Sequence, residues 1–122
     1  MVDGPRLQAL QQLARQVPIA SHVTDYAVRV VLSTHPETDD VPEFTTRFVR
    51  FGASPRAAQA IVLAAKIFAL LNGRLNVSFD DIRRVAPPAL RHRIILNFDA
   101  EAKNVTTDDV IRALLKAVPE GG

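Results

Sequence analysis

The sequence predicts an all-α fold, a small bundle of five or six helices with one short extended segment near residues 94–98. Three observations carry that prediction. Apolar residues recur at helical spacing near both ends of the chain, as in Leu7, Leu10, Ala14 and Val17. A long apolar run, AIVLAAKIFALL at 60–71, is opened by Ser-Pro and closed by Asn-Gly. Two stretches, NVSFDDIRRV at 76–85 and NVTTDDVIRAL at 104–114, repeat one helix-start pattern.

Taken in order, the first helix runs from about Leu7 and stops at Pro18. A second spans about 22–35, with Val23, Tyr26, Ala27, Val30 and Val31 on one face; Ser21 is suited to cap it, Asp25 to sit in its first turn and Pro36 to end it. Residues 36–53 read as a loop with one short turn or extended piece. Its acids Glu37, Asp39, Asp40 and Glu43 come first, and Arg47 and Arg50 then alternate with Phe44, Phe48 and Phe51. Three phenylalanines imply that this loop packs on the body.

The central helix is expected from Pro55 to about Asn72. Ser54 is its N-cap, Pro55 takes the first helical position, where a missing N–H is harmless, and Gly73 supplies a left-handed stop. Apolar nearly all round, it belongs at the centre of the bundle. In the repeated motif Ser78 and Thr106 are caps, and the paired aspartates suit the positive helix end. That explains them without a metal or acid–base role. Between the repeats, Pro87 and Pro88 are expected to begin a short helix, and IILNF at 94–98 to extend. The last helix turns Val110, Ile111, Leu114, Leu115 and Val118 inward and stops at Pro119.

Composition narrows the function. At 122 residues, 48% hydrophobic and 23% charged, the chain suits one globular domain with its own core. A net charge of +2 requires neither nucleic acid nor membrane as partner. The absence of cysteine excludes disulfides, thiolate zinc sites and a cysteine nucleophile, and fits a reducing compartment. MVDGPRLQ has no signal-peptide pattern, and the 60–71 run, interrupted by Lys66, is too short to span a bilayer. The expectation is a soluble, cytoplasmic protein. Phosphate-loop, dinucleotide, zinc-helix and nucleophile-elbow motifs are all missing, and His22, His35 and His92 have no ligand spacing. No metal site is expected, and the chain alone is not an enzyme.

Arg56 stands out because it falls in the first turn of the central helix, where the macrodipole disfavours a cation by roughly 0.3–1 kcal/mol. A guanidinium beside unpaired helix amides suits a phosphate. The plainer alternative is a pair with an acid such as Glu43, or a side chain reaching into water, which is how most surface arginines are used. A second basic feature is RRVAPPALRHR, in which Arg83, Arg84, Arg91, His92 and Arg93 occur without an acid. It supports a rival reading, a basic α-helical nucleic-acid-binding module. Helix C-terminal charge explains the same residues, and no aromatic interleaves with them to form a stacking platform. Lys66 is expected to snorkel to the surface.

The ordered set GASPRA, long apolar helix, Asn-Gly, V-S-F-D-D-I, A-P-P-A-L-R-H-R, V-T-T-D-D-V and terminal Val-Pro resembles the C-terminal helical lid of the MoxR family of AAA+ ATPases, over about 7–119. The resemblance implies an AAA+ lid-type bundle, with 7–35 as leading helices, 36–53 as a loop and 54–119 as the lid core. Residues 1–6 are then linker or added residues, and 120–122 a tail. It implies that Arg56 is the sensor 2 arginine, reaching the γ-phosphate of ATP, and that Gly52, Ala53, Ser54 and Pro55 shape the turn that aims it. Mg-ATP would be held mainly by an αβα ATPase domain of the same polypeptide, which this sequence lacks. Further implied are a hexameric ring with contacts between neighbouring subunits, and a chaperone-like role on partners that include von Willebrand factor A domain proteins. The chain by itself is then a monomer that does not hydrolyse ATP.

Overall fold

A computed structural model describes residues 4–120; the outermost expected linker residues, 1–3, and the end of the expected tail, 121–122, lie outside the described residues. The chain is helical, as its periodicity predicts, but with seven helices among the described residues rather than five or six. These are α1 (Gly4–Ala14), α2 (Ser21–Leu32), α3 (Glu43–Phe48), α4 (Arg56–Leu71), α5 (Phe79–Leu90), α6 (Phe98–Ala102) and α7 (Thr107–Ala117). Two short strands, β1 (Val49–Phe51) and β2 (Ile95–Leu96), complete the fold.

Helix α4 is the axis of the bundle, packed against α1, α2 and α5, while α7 closes the far side against α3 and α5. Its inward face sets Ile61 among four alanines, Ala57, Ala58, Ala65 and Ala69, which let its neighbours approach closely. The core is filled from the other side by Tyr26, Val30, Val31, Ile82, Leu90, Val110, Ile111 and Leu114, all essentially inaccessible. Tyr26 and Phe79 meet edge to face, with centroids 5.4 Å apart. Leu115 and Val118, also expected inward, are partly buried against this core.

The differences from the expected boundaries have local causes. Helix α1 begins at Gly4, ahead of Leu7, and ends at Ala14, its one buried residue; Val17 still reaches the core from the turn that follows. Helix α2 ends at Leu32, before Pro36 could stop it. The hydroxyls of Ser33 and Thr34 donate to the carbonyls of Val30 and Val31, each at 2.6 Å, and satisfy groups that another helical turn would have used. Its N-cap is Ala20 with no side-chain bond, so Ser21 is the first helical residue and not the cap. Pro87 and Pro88 lie inside α5 and do not start a new helix. Burial of Val85, Ala86 and Leu90 on both sides of them holds the last turn, which Arg91 N–H closes on the Pro87 carbonyl at 2.9 Å.

The expected loop at 36–53 is more ordered than its composition suggested, since it contains both α3 and β1. β1 pairs antiparallel with β2, the extended piece expected near 94–98, in the register Val49↔Leu96 and Phe51↔Ile95. Two residues on β1 therefore oppose one step on β2, and Arg50 is the extra residue of a bulge. Asn97 fixes this ribbon to the bundle. Its side chain accepts from Ala100 N–H at 3.1 Å to cap α6, and donates to the Arg47 carbonyl at 2.8 Å.

The repeated motif folds twice in the same way. Ser78 and Thr106 are N-caps of complete capping boxes, with Asp81 and Asp109 returning the bond to the cap amide. At the end of α4, Gly73 adopts φ +72°, Gly73 N–H reaches Leu70 O at 3.0 Å and Arg74 N–H reaches Ala69 O at 2.8 Å. This is a Schellman stop of the kind the Asn-Gly pair predicts.

Candidate functional site

The turn at 52–56 joins β1 to α4, and its position is set from the end of α2. Gly52 lies so close to Thr34 that an added Cβ would stand 2.5 Å from the Thr34 carbonyl oxygen. Ala53 is fully buried, and both of its backbone polar groups are engaged. Its N–H donates to Thr34 Oγ1 at 3.0 Å, and its carbonyl accepts from His35 Nε2 at 2.6 Å. A carbonyl can only accept, so Nε2 carries a proton. On the other side of the ring, Nδ1 lies 3.0 Å from Glu37 Oε1. The carboxyl of Glu37 is held below the ordinary carboxylate range, first by its own backbone N–H and then by His35.

After Ala53 the chain emerges, and Ser54, Pro55 and Arg56 are exposed. Ser54 does not cap the helix through its hydroxyl, contrary to expectation. The N-cap is Pro55, with φ −56° and ψ −26°, and Arg56 is the first helical residue. The first turn is closed by backbone alone, Ala57 N–H to Ser54 O at 2.9 Å and Ala58 N–H to Pro55 O at 3.2 Å. α4 also has no acid in its first turn, whereas α5, α6 and α7 each have a side-chain cap and acids there. Its positive end is therefore left with a cation on it. Among the described residues no hydrogen bond or ion pair holds the Arg56 guanidinium, and the pair with Glu43 is not made. The arrangement is a fixed turn carrying one outward, bidentate donor at the positive end of α4, chemistry suited to a phosphate-like anion.

Two arginines of the second basic feature, Arg83 and Arg91, are paired with acids within the fold. Arg83 pairs with Glu120 and lies 3.6 Å from Asp80, Arg91 Nε donates to Asp108 at 2.8 Å, and Arg93 Nε donates to the Ala89 carbonyl at 2.9 Å. Lys66 snorkels as expected, its ammonium 3.4 Å from the Arg15 carbonyl. Among the described residues no group of histidines and acids could hold a metal ion, and no helix is long and apolar enough to cross a membrane.

Sequence reasoning did not find Thr34, His35 or Glu37, nor the ion pair of Arg74 with Asp81 at 2.6 Å. The first three are separated from the turn by β1 and α3, and no periodicity links residue 34 to residue 53. Arg74 was hidden by its place just past a helix stop. It faces Asp81, whose capping role alone accounted for its presence. Burial opposes ionisation of Asp81, but the Arg74 guanidinium and the Ser78 amide outweigh it and keep its carboxyl below the usual range.

The family model described as the AAA lid domain matches residues 44–114, more than half of the chain. The chain belongs to the AAA lid domain family. It is 38% identical over 112 residues to "Chaperone MoxR1" of Mycobacterium tuberculosis, covering 92% of this chain and 30% of that protein. It is 39% identical over 74 residues to "Protein MoxR" of Methylorubrum extorquens, covering 60% of this chain and 22% of that one. Its fold matches the crystal structure of a protein described as an ATPase from Cytophaga hutchinsonii, with a TM-score of 0.82 and 33% identity over 88% of this chain and 33% of the other. The lid therefore spans a third or less of each of these relatives, and it is of the MoxR type.

Proposed function

We propose that this lid closes over ATP bound to an αβα ATPase domain of the same polypeptide, and that Arg56 is its sensor 2 residue, donating to the γ-phosphate. The observation that carries this reading is the Arg56 guanidinium. It stands exposed and unengaged at an α4 N-terminus that has no acid and no side-chain cap. Gly52, Ala53, Ser54 and Pro55 form the turn that aims it. The sequence carries no phosphate-loop motif, and Mg-ATP is held mainly by the αβα domain of the same polypeptide. Loss of the γ-phosphate removes the strongest partner of Arg56, so the lid angle reports the nucleotide state.

The whole polypeptide is proposed to assemble as a hexameric ring in the cytoplasm. There it would act as a chaperone, on clients that include von Willebrand factor A domain proteins. The exposed Phe51, Ile95 and Phe98, with Phe98 86% accessible, are the kind of surface a domain buries against others in such an assembly. The nucleic-acid reading is weakened because Arg83 and Arg91 are already paired with acids. The reading is tested by ATP turnover of the parent polypeptide with Arg56→Ala. Removing one such donor lowers turnover by about a hundredfold, whereas unchanged turnover refutes the sensor role.

A further inference from the structure

Arg56 is useful only if it is aimed, and neither Ser54 nor Pro55 makes a side-chain bond that could aim it. The fixed point nearest to it is the Ala53 peptide, whose N–H and carbonyl are both held by consecutive residues of another element. We propose that Thr34 and His35 are positioning residues for Arg56, clamping the Ala53 backbone through Thr34 Oγ1 at 3.0 Å and His35 Nε2 at 2.6 Å. This inference rests on the reading of Arg56 given above.

The clamp is built on a rigid base. Thr34 is fully buried and its hydroxyl is used twice, donating to the Val31 carbonyl at 2.6 Å while accepting from Ala53. The preceding residue is tied to α3, because Thr45 Oγ1 donates to the Ser33 carbonyl at 2.7 Å. His35 is held from its far side by Glu37, whose Oε1 lies 3.0 Å from Nδ1 while Nε2 donates to the Ala53 carbonyl. Gly52 admits the close approach of the Thr34 backbone that the clamp requires. Between Ala53 and Arg56 the Pro55 ring fixes one backbone torsion, at φ −56°, and the Ala57 N–H bond to the Ser54 carbonyl closes the turn. The end of α2 thus sets where α4 begins and the backbone position from which the Arg56 side chain extends.

The inference is testable in the parent ATPase with His35→Ala, His35→Gln, Thr34→Val and Arg56→Ala, alone and combined. The glutamine amide can still donate to the Ala53 carbonyl. Thr34→Val keeps the volume but removes the hydroxyl and leaves the buried Ala53 N–H unpaired, so each variant's fold is verified by circular dichroism. We expect His35→Ala and Thr34→Val each to lower kcat about tenfold, less than the roughly hundredfold of a full 1 Å misplacement, with little change in the KM for ATP. His35→Gln should return most of the lost turnover. In the Arg56→Ala background, the clamp substitutions should have no further effect. If Arg56→Ala lowers turnover but the clamp variants do not, or if their effects add to that of Arg56→Ala, the clamp is structural only and the inference falls. If Arg56→Ala itself is without effect, the sensor reading falls first.

Discussion

At the residue scale, two aspartates with the same place in a repeated motif do different work. Asp81 and Asp109 both close capping boxes, but Asp81 is buried to 1% exposure and also pairs with Arg74, whereas Asp109 remains accessible to water and has Arg112 only at 3.6 Å. Removing Asp81 leaves a guanidinium and a cap amide without their common acceptor. Asp81→Ala is expected to destabilise the domain by about 3 kcal/mol in chemical denaturation. Asp109→Ala should produce a clearly smaller loss. Equal effects would mean that the Arg74 pair adds nothing to the cap. The pH dependence has a defined sign. The folded-state pKa of Asp81 is lowered, so its stabilisation is full above the ordinary carboxylate pKa and fades as pH falls through the folded value. Stability measured downward from about pH 4 should therefore fall less steeply in Asp81→Asn than in the parent sequence.

At the scale of elements, α4 is held at both ends by different means. Its C-terminus depends on Gly73 at φ +72°, where nothing within 4 Å would obstruct a Cβ. Gly73→Ala should then lose about 1 kcal/mol, all of it conformational. Gly73→Asn, which tolerates the left-handed region, should lose less in the same thermal-unfolding comparison. The N-terminus depends on the clamp at Ala53 in place of a side-chain cap. This contrast also marks what the sequence could reveal. Gly73, Ser78 and Thr106 act through bonds that span three to five residues, so their local chemistry made them legible. Ser54 had the right residue type for a cap, yet its role passed to a contact with residues 34 and 35 that no local rule contains. Helices α3 and α6, with six and five residues, are too short for helical periodicity to register. Pro87 and Pro88 were misread because packing of the residues around them overrides the proline rule.

At the scale of the whole molecule, the bundle and its central helix were legible because burial is periodic along α2, α4 and α7. Of the candidate site, Arg56 was legible as a local anomaly, a cation at a helix start, and the turn at 52–55 came only with the family resemblance. The site's foundation lies in long-range contacts. The charge pattern leads to a further expectation: with Arg83 and Arg91 neutralised by Glu120 and Asp108, the domain should show no steeply salt-dependent binding to DNA or RNA in fluorescence anisotropy. Tight binding lost on neutralising Arg84 and Arg93 would overturn that. The most direct test of the central claim is single-turnover ATP hydrolysis by the parent polypeptide with and without Arg56→Ala, the lid's fold being verified by circular dichroism. A fall in turnover of about a hundredfold with the helical content unchanged is the predicted result, and turnover equal to that of the unsubstituted protein would contradict it.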